Sequence, residues 1–256
     1  HPRVHARTLT ARLGTCATSE EVVQVVAEAQ VVAATCLGTS DAVLARRAFD
    51  VCIIDEASQI TVPTCLGPLR LADRFVMIGD HHQLTPLVRD TDAAQHGMSV
   101  SLFQRLCKAH PSSVAMLCTQ YRMNADIMAL SNALVYDGRL VCGNESVACA
   151  KFTMKRDACP SWLWDVLDPA RPAVFVDTDA VKAVESRADT LVENRAEAEW
   201  IVRMSDMLIQ ANVAAADIGI LTPYRQQAKL LRDRCACEVL TVDQAQGRDC
   251  LLYTSD

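Results

Sequence analysis

The sequence lacks several features that mark whole classes of protein. No apolar run among its 256 residues is long enough for a transmembrane helix, and its polar start does not have the pattern of a signal peptide, so no membrane partner is expected. A basic excess is also missing, because the net charge is −6. This charge argues against a wholly basic nucleic-acid coat protein, although a local basic groove can lie on an acidic protein.

Metal-binding cysteine patterns are missing too, although cysteine itself is plentiful. None of the twelve cysteines forms a C-x-x-C pair or a Cys/His zinc spacing. Cys52 lies in an apolar run and is predicted to be a small core residue, whereas Cys235 and Cys237 lack the partner ligands of a metal site. Scattered cysteines of this kind indicate a reducing intracellular compartment.

The chain has no repeats or low-complexity tracts and alternates between two kinds of segment. With 50% hydrophobic residues it can bury a core in one large or two medium domains. The alternation predicts an α/β fold with parallel sheets. Short apolar runs that predict strands occupy 30–35, 50–54, 74–78, 113–117, 173–176, 218–221 and 238–241. Helical patterns occupy 19–29, 101–109, 124–134, 194–210 and 226–234, and a less regular stretch, interpreted as a connection or partly ordered insert, occupies 141–172.

A first polar cluster follows the apolar run at 50–54. Ligands gather at the carboxyl ends of strands in open α/β sheets. Asp55 at that place can hold Mg²⁺ beside nucleotide phosphates, and Glu56 can orient and deprotonate an attacking water. Gln59 follows on the same loop. The alternative is that Asp55 caps the next helix and Glu56 is merely solvated.

A second polar cluster follows the run at 74–78. Gly79 permits a tight turn, Asp80 follows it, and Gln83 offers a donor and an acceptor toward a γ-phosphate or its attacking water. The alternative is an ordinary strand–loop turn with aspartate and proline as turn formers. The adjacent histidines of this loop are not assigned to a metal, because neighbouring loop residues rarely chelate one ion together.

Three further clusters follow later apolar runs. In the first, Arg122 can stabilise phosphoryl charge across a cleft and Tyr121 offers a flat face to a purine, whereas singly they are more often a surface arginine and a core tyrosine. The other two combine groups that suit the phosphates of nucleic acid or nucleotide. Their candidate residues are Thr222, Pro223, Tyr224 and Arg225 in one cluster and Thr241, Gln246, Gly247, Arg248 and Asp249 in the other.

The clusters follow one another as DEASQ, GDxxQLxP, QYRM, TPYRQQ and TVDxxQGRD. This series resembles the ordered motifs of superfamily 1 helicases, in the group that includes the nonsense-decay helicase. Longer segments such as VVAATCLGTS, FDVCIIDEASQI and QYRMNADIMALSNALVYDGRL are similar to the helicase region of the eukaryotic DNA replication ATP-dependent helicase/nuclease family. The resemblance covers residues 31–140 and 217–249 and is loose between them.

The resemblance implies two RecA-like P-loop NTPase domains with mostly parallel sheets, both incomplete. Residues 1–118 would be the C-terminal part of the first domain and residues 119–256 the second, with ATP and Mg²⁺ between them. The phosphate-binding loop G-x-x-x-x-G-K-[ST] does not occur in the sequence. The family has it upstream of residue 1, after a nuclease domain with an iron–sulfur cluster, so the chain is expected to be a fragment that is inactive as an ATPase by itself. Residues 250–256 (CLLYTSD) are hypothesised to be foreign to the gene, with a simple truncation as the alternative.

The resemblance also implies roles for individual residues. Asp55 matches the Mg²⁺-binding acid and Glu56 the catalytic base. Gln83 matches the γ-phosphate sensor and Arg122 an arginine finger, while Tyr121 matches the residue that stacks on adenine. The remaining nucleotide-site residues are Gln59, Gly79, Asp80, Gln246, Gly247, Arg248 and Asp249. The implied nucleic-acid contacts are Thr35, Thr222, Pro223, Tyr224, Arg225 and Thr241.

The implied activity is ATP-dependent translocation on single-stranded DNA in DNA replication and repair. Partners would be single-stranded DNA, with RNA as the alternative, together with single-strand-binding and replication or repair proteins. The location would be the nucleus, with the mitochondrion as a second compartment. Two other functions stay open: an RNA helicase of the same superfamily and a non-catalytic nucleic-acid-binding remnant of the fold.

Overall fold

The computed structural model describes residues 18–44, 47–158, 160–180, 183–188, 191–246 and 252–254. The chain divides into two compact units, residues 1–115 and 116–256. Each unit has a hydrophobic core of its own. The assignment of residues 1–118 and 119–256 to two RecA-like domains remains a prediction.

The first unit begins with helix α1 (Ser19–Ala27), whose start is fixed by a capping box. The Thr18 hydroxyl accepts a hydrogen bond from the Glu21 amide at 3.2 Å, and the Glu21 carboxylate accepts one from the Thr18 amide at 3.3 Å. These two bonds satisfy amides that the helix leaves without an internal partner. A 3₁₀ turn, Leu37–Ser40, follows later in the same unit.

Two parallel strands form the sheet of the first unit. Strand β1 (Phe49–Ile54) pairs with β2 (Ala72–Met77), and Ile54 lies opposite Met77 at their carboxyl ends. Helix α2 (Val62–Leu69) lies in the connection between them. The unit is therefore a strand–helix–strand arrangement, as the alternating pattern of the sequence predicts.

The two faces of this sheet differ in what covers them. Successive residues of a strand point to opposite faces. On one face, Ile54 belongs to a buried cluster with Ala57 and Cys65, and half-buried side chains from neighbouring elements pack against this cluster. On the other face, Val51 and Ile53 are 45% and 67% exposed. The first unit thus covers one side of its sheet around Ile54, while Phe75 on that side stays 49% exposed, and it leaves apolar side chains exposed on the other side.

The last part of the first unit is helical. A short turn, α3 (Thr91–Ala93), continues into a π-helical turn over Ala94–Met98, which Gly97 interrupts with a φ of 90°. Helix α4 (Leu102–Ala109) then begins at Ser101, whose buried hydroxyl accepts a hydrogen bond from the Gln104 amide at 3.1 Å. A serine in this position is a strongly preferred helix cap.

The second unit begins with two very short parallel strands, β3 (Thr119–Gln120) and β4 (Val141–Cys142). Helix α5 (Ala125–Ser131) lies between them and is capped by Asn124, which accepts from the Ile127 amide at 2.9 Å. It continues into a π-helical turn. The following stretch contains two more short helices, α6 (Glu145–Ala148) and α7 (Ser161–Val166).

The larger part of the second unit is a sheet with strand order β8–β7–β9. Its strands, all parallel, are β7 (Ile218–Thr222), β8 (Glu238–Thr241) and β9 (Leu252–Thr254). Helices α8 (Arg195–Gln210), α9 (Arg225–Arg232) and α10 (Val242–Ala245) accompany the sheet, and an antiparallel pair, β5 (Ser186–Ala188) with β6 (Leu191–Glu193), precedes it. Within the described ranges, no helix is both long enough and apolar enough to cross a membrane.

The predicted α/β class with mostly parallel sheets is confirmed, whereas three predicted strands are wrong. Residues 30–35, 113–117 and 173–176 are described but form no strand. A strand needs a partner for its amides and carbonyls, and no other described residue pairs with these runs. Apolar composition alone could not reveal that missing partner.

Candidate functional site

The loops that follow β1 and β2 lie side by side in the first unit. Both strands end at the same edge of the sheet because they are parallel and in register. The Ile78 amide donates to the Ile54 carbonyl and the Ala57 amide donates to the Ile78 carbonyl, each at 2.8 Å. The acidic loop that begins at Asp55 is therefore hydrogen-bonded to the segment that leads into Gly79.

Gly79 is needed because the two loops approach each other closely. A Cβ at this position would lie 2.9 Å from the Ser58 backbone nitrogen, which is closer than real Cβ contacts. The Ser58 side chain is buried, and its hydroxyl accepts a hydrogen bond from the Asp80 amide at 3.3 Å. The tight turn that the sequence suggested is not the reason, because the glycines with positive φ in the described ranges are Gly97 and Gly138.

Glu56 occupies a left-handed backbone conformation, with φ 50° and ψ 37°. This conformation costs a non-glycine residue roughly 1–2 kcal/mol. The Gln59 side-chain amide donates to the Glu56 carboxylate at 2.9 Å, and the Glu56 amide donates to the Asp55 carboxylate at 3.0 Å. The following 3₁₀ turn has no side-chain cap, so helix capping does not account for the two exposed acids.

Asp80 organises the loop after β2. One of its carboxylate oxygens accepts from the His82 amide at 2.9 Å, and the other accepts from the Gln83 side-chain amide at 3.0 Å. Gln83 is exposed, so its side chain is both oriented and accessible. Burial lowers the pKa of His81, the neighbouring His82 lowers it further, and Asp80 opposes the shift. His81 is therefore largely neutral at neutral pH.

The acidic edge suits a magnesium ion better than it suits a structural metal. Within the described ranges, no group of three or more histidine, cysteine, aspartate or glutamate side chains is placed to hold a metal ion. Magnesium at nucleotide sites usually takes one or two carboxylates, with phosphates and waters completing its shell. The exposed carboxylate of Asp55 fits that chemistry, and Glu56 beside it remains accessible to water.

Thr35 lies elsewhere in the same unit, just before the 3₁₀ turn Leu37–Ser40. It is exposed, and its hydroxyl accepts a hydrogen bond from the Gly38 amide at 3.1 Å. Thr35 and Gln59 both line one open pocket. The structure thus brings together a residue predicted to contact nucleic acid and a residue predicted to lie at the nucleotide.

In the second unit, Gln120 holds the QYRM segment in place. Its side-chain oxygen accepts from the Arg122 and Met123 amides, both at 2.8 Å. Its side-chain nitrogen donates to the Met123 carbonyl at 2.8 Å and to the Cys142 sulfur at 3.2 Å. This arrangement leaves Tyr121 and Arg122 exposed. No role was predicted for Gln120, because its hydrogen-bond partners depend on the fold.

The ring of Tyr121 lies over the backbone at Gly143. Any Cβ at position 143 would overlap the ring, so this close approach requires glycine. Tyr121 is 66% exposed, which leaves much of its ring accessible. The contact depends on the pairing of β3 with β4, since the Gly143 amide donates to the Gln120 carbonyl at 2.8 Å. The sequence alone carried no signal that linked Gly143 to Tyr121.

Of the nucleic-acid contacts predicted at the end of β7, three are exposed and one is buried. Thr222 has no exposed surface, and its hydroxyl accepts from the Tyr224 amide at 3.2 Å. Pro223, Tyr224 and Arg225 are exposed at the start of α9. Burial therefore gives the Thr222 side chain a part in shaping the turn and no surface for direct contact with a ligand.

The end of β8 shows the same division. Thr241 is 8% exposed and forms a capping box with Gln244 at the start of α10. Arg232 donates to the Gln244 side-chain oxygen at 2.8 Å and to the Val239 carbonyl at 2.9 Å, so it fixes α10 to the sheet. Gln246 ends α10. The remaining predicted residues of this cluster, Gly247, Arg248 and Asp249, lie outside the described residues.

Several relatives share much of this sequence. The DNA replication ATP-dependent helicase/nuclease JHS1 of Arabidopsis thaliana is 45% identical over 241 residues, which is 92% of this chain and 18% of the relative. The DNA replication ATP-dependent helicases/nucleases DNA2 of Xenopus laevis and Homo sapiens are 43% and 44% identical over 237 residues, which is 86% of this chain and 22% of each relative. The chain thus spans about a fifth of their length. These identities confirm the resemblance that the motif series indicated.

Two family models account for most of the chain. Residues 6–91 match one model described as an AAA domain, and residues 98–252 match a second model with the same description. The second match alone covers more than half of the chain and includes the ends of β3, β7 and β8. The first includes the paired loops after β1 and β2. The chain therefore belongs to the AAA domain family.

Proposed function

We propose that the protein containing this chain is an ATP-dependent DNA helicase that couples ATP hydrolysis to movement along single-stranded DNA in replication and repair. One observation carries the proposal: the acidic loop at Asp55 and Glu56 is hydrogen-bonded to the segment before Gly79 at one edge of the sheet. Relatives named as DNA replication helicase/nucleases support DNA over RNA as the substrate. Because this chain spans about a fifth of those relatives, the activity of the whole protein is part of the proposal.

In the first unit, three side chains would act on the nucleotide. The Asp55 carboxylate would hold Mg²⁺, which neutralises phosphate charge when it is bound. Glu56 would orient the attacking water and take its proton. Gln83, aligned by its hydrogen bond to Asp80, would contact the γ-phosphate or that water. Gln59 would position Glu56 through the hydrogen bond between their side chains.

In the second unit, the QYRM segment would supply the other nucleotide contacts. Arg122 would stabilise the charge that develops during phosphoryl transfer, as an arginine finger does. The accessible ring of Tyr121 would stack on adenine, supported from below by Gly143. Residues 246–249 would also belong to the nucleotide site. The two domains would be RecA-like.

Single-stranded DNA would be bound by exposed residues of both units. Thr35 in the first unit and Pro223, Tyr224 and Arg225 in the second are accessible, whereas the buried Thr222 would act through the backbone that it shapes. Replication and repair proteins would be partners in the nucleus, with the mitochondrion as a second location. An iron–sulfur cluster would belong to a separate nuclease domain of the whole protein.

The test of this proposal is ATP hydrolysis by the full-length gene product with Mg²⁺ and single-stranded DNA. Glu56→Gln should retain ATP binding and lower turnover by roughly a hundredfold or more, which is typical for loss of a general base. Glu20→Gln, an exposed glutamate on α1, is the matched control and should keep normal turnover. Near-normal turnover in Glu56→Gln would contradict the assignment. Stimulation by oligouridylate and not by oligothymidylate would favour the RNA helicase instead.

A further inference from the structure

The two adjacent histidines of the loop after β2 have no part in the function proposed above, and the structure places them differently. His82 is exposed, whereas His81 is half-buried. Their ring centroids are 4.3 Å apart and their planes are inclined by 33°. The two imidazoles therefore stack on each other, and His81 is the inner ring of the pair.

A second ring lies next to His81, on helix α4. The ring centroids of His81 and Phe103 are 6.2 Å apart and their planes are inclined by 50°, a geometry that tilted aromatic pairs commonly adopt. Phe103 is half-buried and packs against the core cluster that contains Ile54, Ala57 and Cys65. Three aromatic rings thus connect the surface of the loop with the core of the first unit.

Helix α4 gives this contact a fixed support. The buried Ser101 side chain caps its first turn. Leu102 packs against the same core cluster as Phe103. The Arg105 guanidinium donates a hydrogen bond to the Gly97 carbonyl at 3.0 Å, which joins the helix to the π-helical turn before it. The start of α4 is therefore held by its cap, by the core and by the preceding turn.

The loop after β2 carries Gln83 two residues beyond His81. The Gln83 amide donates to the Asp80 carbonyl at 3.2 Å, and its side chain donates to the Asp80 carboxylate at 3.0 Å. These two bonds orient Gln83 within the loop, and the bond from the Asp80 amide to Ser58 ties the start of the loop to the acidic loop. The ring of His81 adds a contact with a different element, helix α4.

The electrostatics of His81 favour packing over proton transfer. Burial and the neighbouring His82 lower the pKa of His81, and Asp80 only opposes this shift. The imidazole is therefore largely neutral at neutral pH. A neutral ring can pack beside Phe103 without the cost of removing a charge from water. In this place His81 acts as an aromatic side chain and has no need of its proton.

We infer that His81 is a positioning residue for Gln83, because its ring holds the loop after β2 against Phe103 of helix α4. The inference rests on the proposed function, in which Gln83 contacts the γ-phosphate or the attacking water. A group misplaced by about 1 Å can cost roughly a hundredfold in rate. Loss of the ring contact therefore lowers the rate of hydrolysis and leaves the binding of ATP unchanged.

The test measures ATP hydrolysis by the full-length gene product with Mg²⁺ and single-stranded DNA. His81→Ala should lower kcat roughly tenfold or more and leave the KM for ATP unchanged. Phe103→Leu, which keeps the core apolar and removes the ring, should lower kcat in the same way. His81→Phe keeps a ring and loses both nitrogens, so it should retain the kcat and the pH profile of the unaltered protein. The matched control is His110→Ala, an exposed histidine just after α4, which should keep both constants.

A double variant separates positioning from a general loss of structure. His81→Ala/Gln83→Ala should be no slower than Gln83→Ala alone, since His81 acts through Gln83. A further drop in the double variant, a loss of kcat in His81→Phe, or an unchanged kcat in His81→Ala or Phe103→Leu overturns the positioning role and leaves the proposed function standing. Absence of ATP hydrolysis by the unaltered protein overturns the proposed function and this inference together.

Discussion

At the scale of single residues, burial governs the thiols of the first unit. Cys36 and Cys52 pack against the cluster that contains Cys65, which is fully buried. Cys52 was predicted to be a core residue, and it lies half-buried at this cluster. Burial raises the pKa of all three thiols, and the pKa of Cys65, raised further by Cys36 and Cys52, reaches about 11. Such a thiol stays protonated and unreactive at neutral pH.

We expect Cys65 to make the free energy of unfolding fall as pH rises between about 9 and about 11. The folded protein keeps this proton longer than the unfolded chain does, so the stabilising contribution is complete below the unfolded pKa and is lost as pH passes the folded pKa. Denaturant unfolding of the unaltered chain and Cys65→Ala, at about pH 8 and about pH 10.5, checks this. The stability difference between the two proteins should shrink at the higher pH; a constant difference would be evidence against it.

At the scale of elements, one buried amide joins α8 to α9. Gln227 on α9 is 1% exposed; its side-chain oxygen accepts from the Asn194 amide at 2.9 Å, and its nitrogen donates to the Asn194 carbonyl at 3.1 Å. The Asn194 side chain in turn caps α8 by accepting from the Ala196 and Glu197 amides. The start of α8 is thus tied to the first turn of α9, which follows the exposed residues at the end of β7.

Gln227→Leu should destabilise the second unit by about 2 kcal/mol, because it leaves the buried Asn194 amide without a partner and removes one of the hydrogen bonds to the Asn194 carbonyl, which keeps its bond from the Ala198 amide. The matched control is Gln226→Leu. Gln226 is half-buried and makes one side-chain hydrogen bond, to Glu193 at 3.2 Å, so its loss should cost less than about 1 kcal/mol. Denaturant unfolding of both variants measures the difference. Equal losses of unfolding free energy in the two variants would show that the buried side chain of Gln227 stabilises the unit no more than the half-buried side chain of Gln226.

The hydrophobic pattern of the sequence predicted strands correctly where a neighbouring strand exists to pair with them. The run at 218–221 became β7, with neighbours on both sides, and the pattern at 194–210 became α8. The similar run at 113–117 has no partner among the described residues, and pairing begins only at Thr119. The proximity of the loops after β1 and β2 followed from the rule for parallel strand ends. The contact of Tyr121 with Gly143 did not, because it depends on register between distant segments.

At the scale of the whole chain, the open face of the first sheet is an exposed apolar area. Val51 and Ile53 on β1 are 45% and 67% exposed, and Val76 and Ile78 beside them are 50% and 49% exposed. Ile53 pairs with Val76, so the four side chains form one continuous area. Continuous apolar areas of this kind favour association with other surfaces.

The 256-residue chain expressed by itself should therefore bind an apolar dye and self-associate. Ile53→Lys should reduce dye fluorescence and shift the chain toward monomer in sedimentation, without loss of secondary structure, because this side chain is exposed. Ile54→Lys is the matched control, since Ile54 is 3% exposed and a lysine there would unfold the first unit. An unchanged association state in Ile53→Lys would show that the open face is not responsible.

The left-handed backbone at Glu56 sets the stability of this chain against its proposed catalytic activity. A glycine would accept φ 50° without strain, yet it would remove the carboxylate proposed to act on water. Selection for thermal stability alone would therefore favour glycine at position 56, whereas selection for ATP turnover would favour glutamate. In a random library, selection for stability and selection for activity should favour different residues at position 56, so stability and activity conflict at Glu56.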